Sequence, residues 1–246
     1  MDQYALSQLA PHGALRVGIN LSNFLLVSGR DPSGSPQGVA PDLAREIAAC
    51  LNTPLEYVLF SSPRELADAA ESSVWDICLI GADLARAQSI VFTSAYVEID
   101  ATYLVPSGSR LRSVEEVDQS GVRIAVATGS AYDLWLTRHI QHAELIRSDT
   151  LETSYASFVE QKLEVLAGLR PRLLSDAEAL SGARVLDGRF TAIQQAIGTL
   201  RCNEAGAAFL RTFVEEAKAS GLIAQLIKRH HVRGLNIAPS STIDKS

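Results

Sequence analysis

Ile77-Cys78-Leu79-Ile80 is an unbroken apolar run closed by Gly81. A strand with one wet face alternates apolar and polar residues, so this run predicts a strand covered on both faces of a parallel sheet. Upstream, Ser62-Pro63-Arg64-Glu65 joins a hydroxyl cap, a proline at the first helical position and an acid in the first turn, the marks of a helix start. Before it, Leu55 to Phe60 reads as a strand, and Asp42 opens the periodic stretch Leu43 to Ala48 as a helix, with a carboxylate at its positive end. A Gly/Pro/Ser loop fills Ser28 to Gly38, and Leu15 to Asn20 is a first β-rich run. Strand and helix alternate, as in an α/β protein with a mostly parallel sheet.

Downstream the rhythm repeats. Strands are predicted over Val122 to Ala127, Glu144 to Arg147, Leu163 to Ala167 and Ile193 to Gly198. Helices are predicted from Ala131, over Leu151 to Glu160, from about Pro171, over Asn203 to Ala219 and over Leu222 to Arg229. The polar tail from Pro239 to Ser246 is expected to fray. Two α/β units follow, with a seam near Tyr103-Leu104-Val105-Pro106-Ser107. Their likeness is of element order, since no sequence repeat is present.

The 246 residues suffice for one large domain or two modest ones, and 47% hydrophobic with 20% charged residues excludes disorder. A net charge of −6 without a basic run argues against nucleic acid and anionic membranes. No apolar run approaches the roughly 20 residues of a membrane helix, and Met1 to Gln8 carries no secretory leader. The chain is expected to lie in the periplasm if a leader was removed, and in the cytoplasm otherwise. Cys50, Cys78 and Cys202 form no CxxC pair and lie in apolar stretches, which predicts buried thiols.

Read together, these stretches resemble the solute-binding proteins of ABC transporters, in the branch that binds polar amino acids. Leu15-Arg16-Val17-Gly18-Ile19-Asn20 resembles the family's first strand, and Gly38-Val39-Ala40-Pro41-Asp42-Leu43-Ala44 its G-F-D-x-D-L-A helix start. Trp75-Asp76-Ile77-Cys78-Leu79-Ile80-Gly81 is similar to x-D-A-I-I-S-G, and Arg86 with Phe92-Thr93-Ser94-Ala95-Tyr96 to R…F-S-x-P-Y. Ser113 to Val117 with Gly121 to Val126, Gly129-Ser130, and Ala217 to Ile223 continue the likeness in order. The resemblance implies a type II periplasmic-binding-protein-like α/β fold: two lobes with mainly parallel sheets joined by two hinge strands. The crossings would fall near Ala101 to Val105 and Gln195 to Gly198. Lobe 1 would hold residues 1–103 and 196–246, and lobe 2 residues 104–195, with a ligand cleft between them closed by hinge bending.

The resemblance also assigns site residues. Arg86 matches the family arginine that pairs with the ligand's carboxylate, a contact suited to a guanidinium fork; the plain alternative is a surface arginine. The segment from Gly81 to Arg86 is shorter than in the family, loses its T-x-T hydroxyls and brings in Asp83. Gly129-Ser130 precedes a helix whose free N–H groups would favour an anion, although Ser130 can equally cap its own helix. Asn23 and Phe24 follow the first strand, where the family often packs an aromatic residue on the ligand; the alternative for Phe24 is core packing. Tyr132 would line the cleft, or stand as a partly exposed aromatic.

At Leu169 the family carries an ammonium-binding acid, yet Leu169-Arg170-Pro171-Arg172 is apolar and then basic. Arg170 is therefore expected to make a second anion contact or to be a solvated loop residue. The expectation is a ligand without a free amine: an oxo or hydroxy acid, or a dicarboxylate.

Enzyme motifs are absent. There is no G-x-S-x-G elbow, Walker loop or G-x-G-x-x-G. His139 and His142 can share a helical face, but no spacing supplies a third metal ligand. The expected function is a non-enzymatic solute receptor without cofactor or metal, binding a small carboxylate or amino-acid-like molecule and feeding an ABC transporter membrane subunit, with no membrane insertion of its own. Two alternatives stand beside it: a cyclohexadienyl-dehydratase-like enzyme using Asp83 or Glu98 as general acid, and a sensing or scaffold protein.

Overall fold

The computed structural model describes residues 3–241; the expectation for the end of the tail, 242–246, lies outside the described residues. In chain order the elements are α1 (Gln3–Leu9), β1 (Leu15–Asn20), β2 (Gly29–Arg30), β3 (Pro36–Gln37), α2 (Val39–Leu51), β4 (Leu55–Phe60), α3 (Pro63–Asp68), β5 (Ile77–Gly81), β6 (Ile90–Val105), β7 (Arg123–Ala127), α4 (Ala131–His139), β8 (Glu144–Ser148), α5 (Leu151–Glu160), β9 (Val165–Leu169), α6 (Arg170–Ala179), β10 (Arg184–Val185), β11 (Thr191–Leu200), α7 (Glu204–Ala219), α8 (Leu222–Arg229) and β12 (Asn236–Ile237).

The chain divides into two compact units. One runs up to Glu98 and resumes at Gln194; the other is Ile99–Ile193. The expected seam at Tyr103 lies inside the second unit, because Tyr103 and Leu104 pair with Ala167 and Leu166 of β9. The chain passes between units within β6 and at the start of β11.

In the first unit β4, β1 and β5 run parallel, and β11 adds antiparallel to β5. Residues alternate across a strand, and β5 shows it plainly. Ile77 and Leu79 pack with Leu43, Ile47 and Leu51 of α2 and with Phe213, Val214 and Leu226 of α7 and α8. Cys78 and Ile80 pack on the opposite face with Leu66, Trp75 and Ile90. Hiding each large side chain contributes about 1.5–3 kcal/mol, so the apolar run is held by two cores at once. In the second unit β8, β7 and β9 are parallel, with β6 antiparallel on β9 and β10 on β6. Its cores gather Ile124, Val126 and Val165 on one face and Ala125, Leu166 and Phe158 on the other.

Local signals explain most boundaries. Ser62 accepts a hydrogen bond from the Glu65 amide at 3.2 Å, with Pro63 at the first helical position. Thr150 and Thr153 cap each other at the start of α5. The helix expected at Asp42 begins at Val39 instead, on Gly38 with φ 141°. A Cβ on Gly38 would lie 2.3 Å from the Leu26 carbonyl oxygen, so only glycine lets this loop close onto the helix. Two of three cysteines depart from expectation: Cys78 is buried, but Cys50 and Cys202 are exposed. Cys50 lies in the last turn of α2, where the helix end is uncovered, and Cys202 follows the end of β11.

Candidate functional site

In open α/β sheets, ligands bind beyond the carboxyl ends of the strands. In the first unit those ends carry Asn20 and Gly81. Asn20 Oδ1 accepts from the Ser22 amide at 3.1 Å and hydroxyl at 2.8 Å, which folds the chain into a turn. The Asn23 carbonyl then accepts from the amides of Leu26 at 3.0 Å and Val27 at 2.8 Å. Burial of Leu25, Leu26 and Val27 anchors this turn and leaves the Phe24 ring 40% exposed. Core packing of Phe24 is therefore not what the structure shows. Asn23 Oδ1 is buried with no hydrogen-bond partner among the described residues.

At the end of β5, Asp83 Oδ1 accepts from the Ala85 amide at 2.8 Å and fixes a tight turn. That turn folds Arg86 inward. Its side chain is not the surface arginine of the plain alternative: the residue is 6% exposed, and Nη1 donates to the Gly81 carbonyl at 2.5 Å. Burial pulls the Arg86 pKa down to about 10 against the opposing attraction of Asp83. The guanidinium still carries its charge at neutral pH, and a desolvated cation of this kind is stabilised by an anion.

In the second unit, β7 ends at a turn through Gly129, φ 68°, into α4. The Gly129 amide, expected to be open to an anion, donates to Asp133 Oδ2 at 2.8 Å. Ser130 Oγ accepts from the Asp133 amide at 3.1 Å, so it does cap its own helix. Asp133 is 3% exposed and is bridged by Arg147 at 3.0 Å. The helix start thus holds an anion of its own. Tyr132 does not present its ring at the surface: it is buried among Val126, Leu136 and Val165, and burial raises its phenol pKa. One turn into α4 proves to be the inward face.

Arg170 is the first residue of α6 rather than a loop residue. Its guanidinium donates to the carbonyls of Leu186 and Gly188 and lies 3.8 Å from Asp100. Asp100 also pairs with Arg189 at 2.8 Å. Asp100 thus stands between two guanidinium groups and offsets only part of their positive charge. Sequence reading missed Asp100 because it sits far along the chain, inside a strand whose pairing brings it to Arg170. Glu98 Oε1 accepts from Gln194 at 3.1 Å. His139 stacks on Trp135 at 3.8 Å.

An α/β protein whose units carry polar groups where parallel strands end is built to hold a small ligand. Residues 15–233 match the bacterial extracellular solute-binding proteins, family 3, and the chain belongs to that family. Among curated proteins no significant sequence match was found. Among solved structures, a Streptococcus pneumoniae amino acid ABC transporter substrate-binding protein bound to L-arginine is similar at TM-score 0.73 and 17% identity, covering 96% of this chain and 100% of that one. A Wolinella succinogenes ABC-transporter binding component complexed with lysine gives TM-score 0.73 and 21% identity over 89% and 95% of the two chains. An ancestral amino acid-binding protein, described as a precursor of cyclohexadienyl dehydratase, gives TM-score 0.74 and 18% identity over 91% and 97%. These likenesses agree on a periplasmic-binding-protein fold of type II. No helix among the described residues is long and apolar enough to cross a membrane.

Proposed function

We propose that the chain is a non-catalytic solute receptor that binds a small carboxylate of amino-acid type outside the cytoplasm and delivers it to an ABC transporter membrane subunit. The observation that carries this reading is Arg86, a charged guanidinium that is almost wholly desolvated at the carboxyl end of β5. A ligand carboxylate is the natural counter-ion for it. Asn23, Phe24, Gly81 and Asp83 would surround that contact from the first unit. In the second unit Gly129 and Ser130 are engaged by Asp133, Tyr132 by its core and Arg170 by Asp100. Solved relatives bound to L-arginine and to lysine favour an amino-acid-like ligand.

Binding is favoured over catalysis because both acidic candidates are already committed. Asp83 Oδ1 holds the Ala85 amide and Glu98 Oε1 holds Gln194. The test is a thermal-shift panel of L- and D-amino acids, dicarboxylates, 2-oxo acids and aromatic acids. A ligand at 100 times its Kd should add about 2.7 kcal/mol of stability. A hit recovered chemically unchanged supports the receptor; turnover of the hit establishes the enzyme instead.

A further inference from the structure

After α8 the chain turns through Gly234, φ 87°, and residues 235–241 run back over the first unit. Asn236 and Ile237 pair antiparallel with Glu98 and Val97 of β6. The Ala238 amide donates to the Tyr96 carbonyl at 3.3 Å. Ala238 is buried but Ile237 is exposed, so burial of Ile237 does not hold the segment down. A clasp beyond it does. The Lys218 side chain of α7 is 2% exposed, and its Nζ meets Glu215 at 2.8 Å and donates to the Pro239 carbonyl at 3.0 Å. Glu215 Oε2 accepts from the Ser241 amide at 3.2 Å, and Oε1 accepts from the hydroxyl of Ser94 in β6. A buried ammonium needs an opposite charge and acceptors for its remaining protons. The segment supplies one of those acceptors, so the ion pair ties α7, β6 and the segment together.

The segment lands where the chain leaves the first unit. Glu98 is the last residue of β6 in that unit, and its Oε1 accepts from Gln194, where the chain re-enters it. β6 pairs with β12 at Val97 and Glu98, and with β9 from Ala101 to Leu104. Ile99 and Asp100 lie between those two pairings. Motion between units is absorbed by a few residues at the ends of elements.

We propose that residues 235–241 are a strap that holds β6 straight as far as Glu98, so that flexing of this strand begins only at Ile99, and that Lys218 and Glu215 keep the strap fastened. With the strap released, Tyr96 to Glu98 join the flexing stretch and the two units sample a wider range of distances. This goes beyond the receptor reading and requires no ligand.

The test uses the intact chain without ligand, as wild type and as Ala238→Asp, which puts an unpaired carboxylate at the buried seat of the strap. Hydrogen exchange is read at Tyr96 to Glu98. Spin labels on Cys50 and on an introduced Glu160→Cys, in a Cys202→Ser background, read the spread of distances between the units by electron resonance. Ala238→Asp is expected to speed exchange at Tyr96 to Glu98 about tenfold or more and to widen the distance spread by about half, with exchange in β9 as in wild type. If Ala238→Asp fails to fold, Lys218→Met replaces it, keeping the bulk and removing the clasp's donor, with the same expectation. Faster exchange with an unchanged spread would overturn the proposal and leave the segment a local fastening. Unchanged exchange in a folded variant would overturn it too, since β6 would then be held without the strap.

Discussion

Arg86 sets the electrostatics of the first unit's site. A guanidinium held by a carbonyl and largely removed from water should lose little stability when replaced by an apolar chain of similar length, because a desolvated charge contributes weakly to folding. Arg86→Met is expected to weaken carboxylate binding at least about tenfold while the melting temperature moves by only a few degrees; calorimetry and thermal denaturation check both. Asp42 makes a pH prediction. Burial pushes its carboxyl up, but His230, Arg229 and Arg45 outweigh this and hold it below its ordinary 3.8. Glu215 behaves alike: Lys218 and Ser94 overcome burial and hold it below 4.5. Groups depressed in the fold add stability above their ordinary pKa and lose it as pH falls through the folded value. Stability should therefore drain below about pH 4, and Asp42→Asn should flatten that slope in melting curves taken from pH 3 to 6. Arg86 could be singled out from motif likeness, and Asp83 from a departure from it. Gln195 and Asp100 could not, since an unsatisfied oxygen or a compensating acid exists only once distant strands meet.

At the scale of elements, the signals that succeeded were those written within a few residues. Ser62-Pro63, Thr150 with Thr153, and the Ile77 run each specify an element through local hydrogen bonding or two-sided burial. The start of α2 misled because Asp42 looks like a cap, whereas its carboxylate binds Arg229 and His230 of α8's end. Gly38 carries the real constraint. Gly38→Ala should cost about 3 kcal/mol, from a disfavoured φ and a clash with the Leu26 carbonyl; urea unfolding measures it. The long β6 is rich in β-branched and aromatic residues, but its pairing with β9, β10 and β12 joins residues far apart in the chain.

For the whole molecule, the first unit is built from both ends of the chain. Its larger core draws Leu43 and Ile47 from the N-terminal part and Leu210, Phe213 and Leu226 from the C-terminal part. A chain truncated after Arg189 removes β11, α7 and α8 and uncovers that core. It is expected to lose the near-ultraviolet circular dichroism of Trp75, which packs beside Ile80 and Ile90. Retention of that signal would mean that the N-terminal segment folds alone. The sequence by itself determined the alternation of strands and helices, the two-sided burial of β5 and the family, because periodicity, caps and motif order are local properties carried in chain order. Tertiary structure decided that Arg86 is buried, that Tyr132 faces the core, that Asp133 fills the start of α4, that Asp100 meets both Arg170 and Arg189, and that Gln195 Oε1 finds no donor among the described residues. Each of those depends on desolvation and on charges brought together across many residues, and neither quantity exists until the chain has folded.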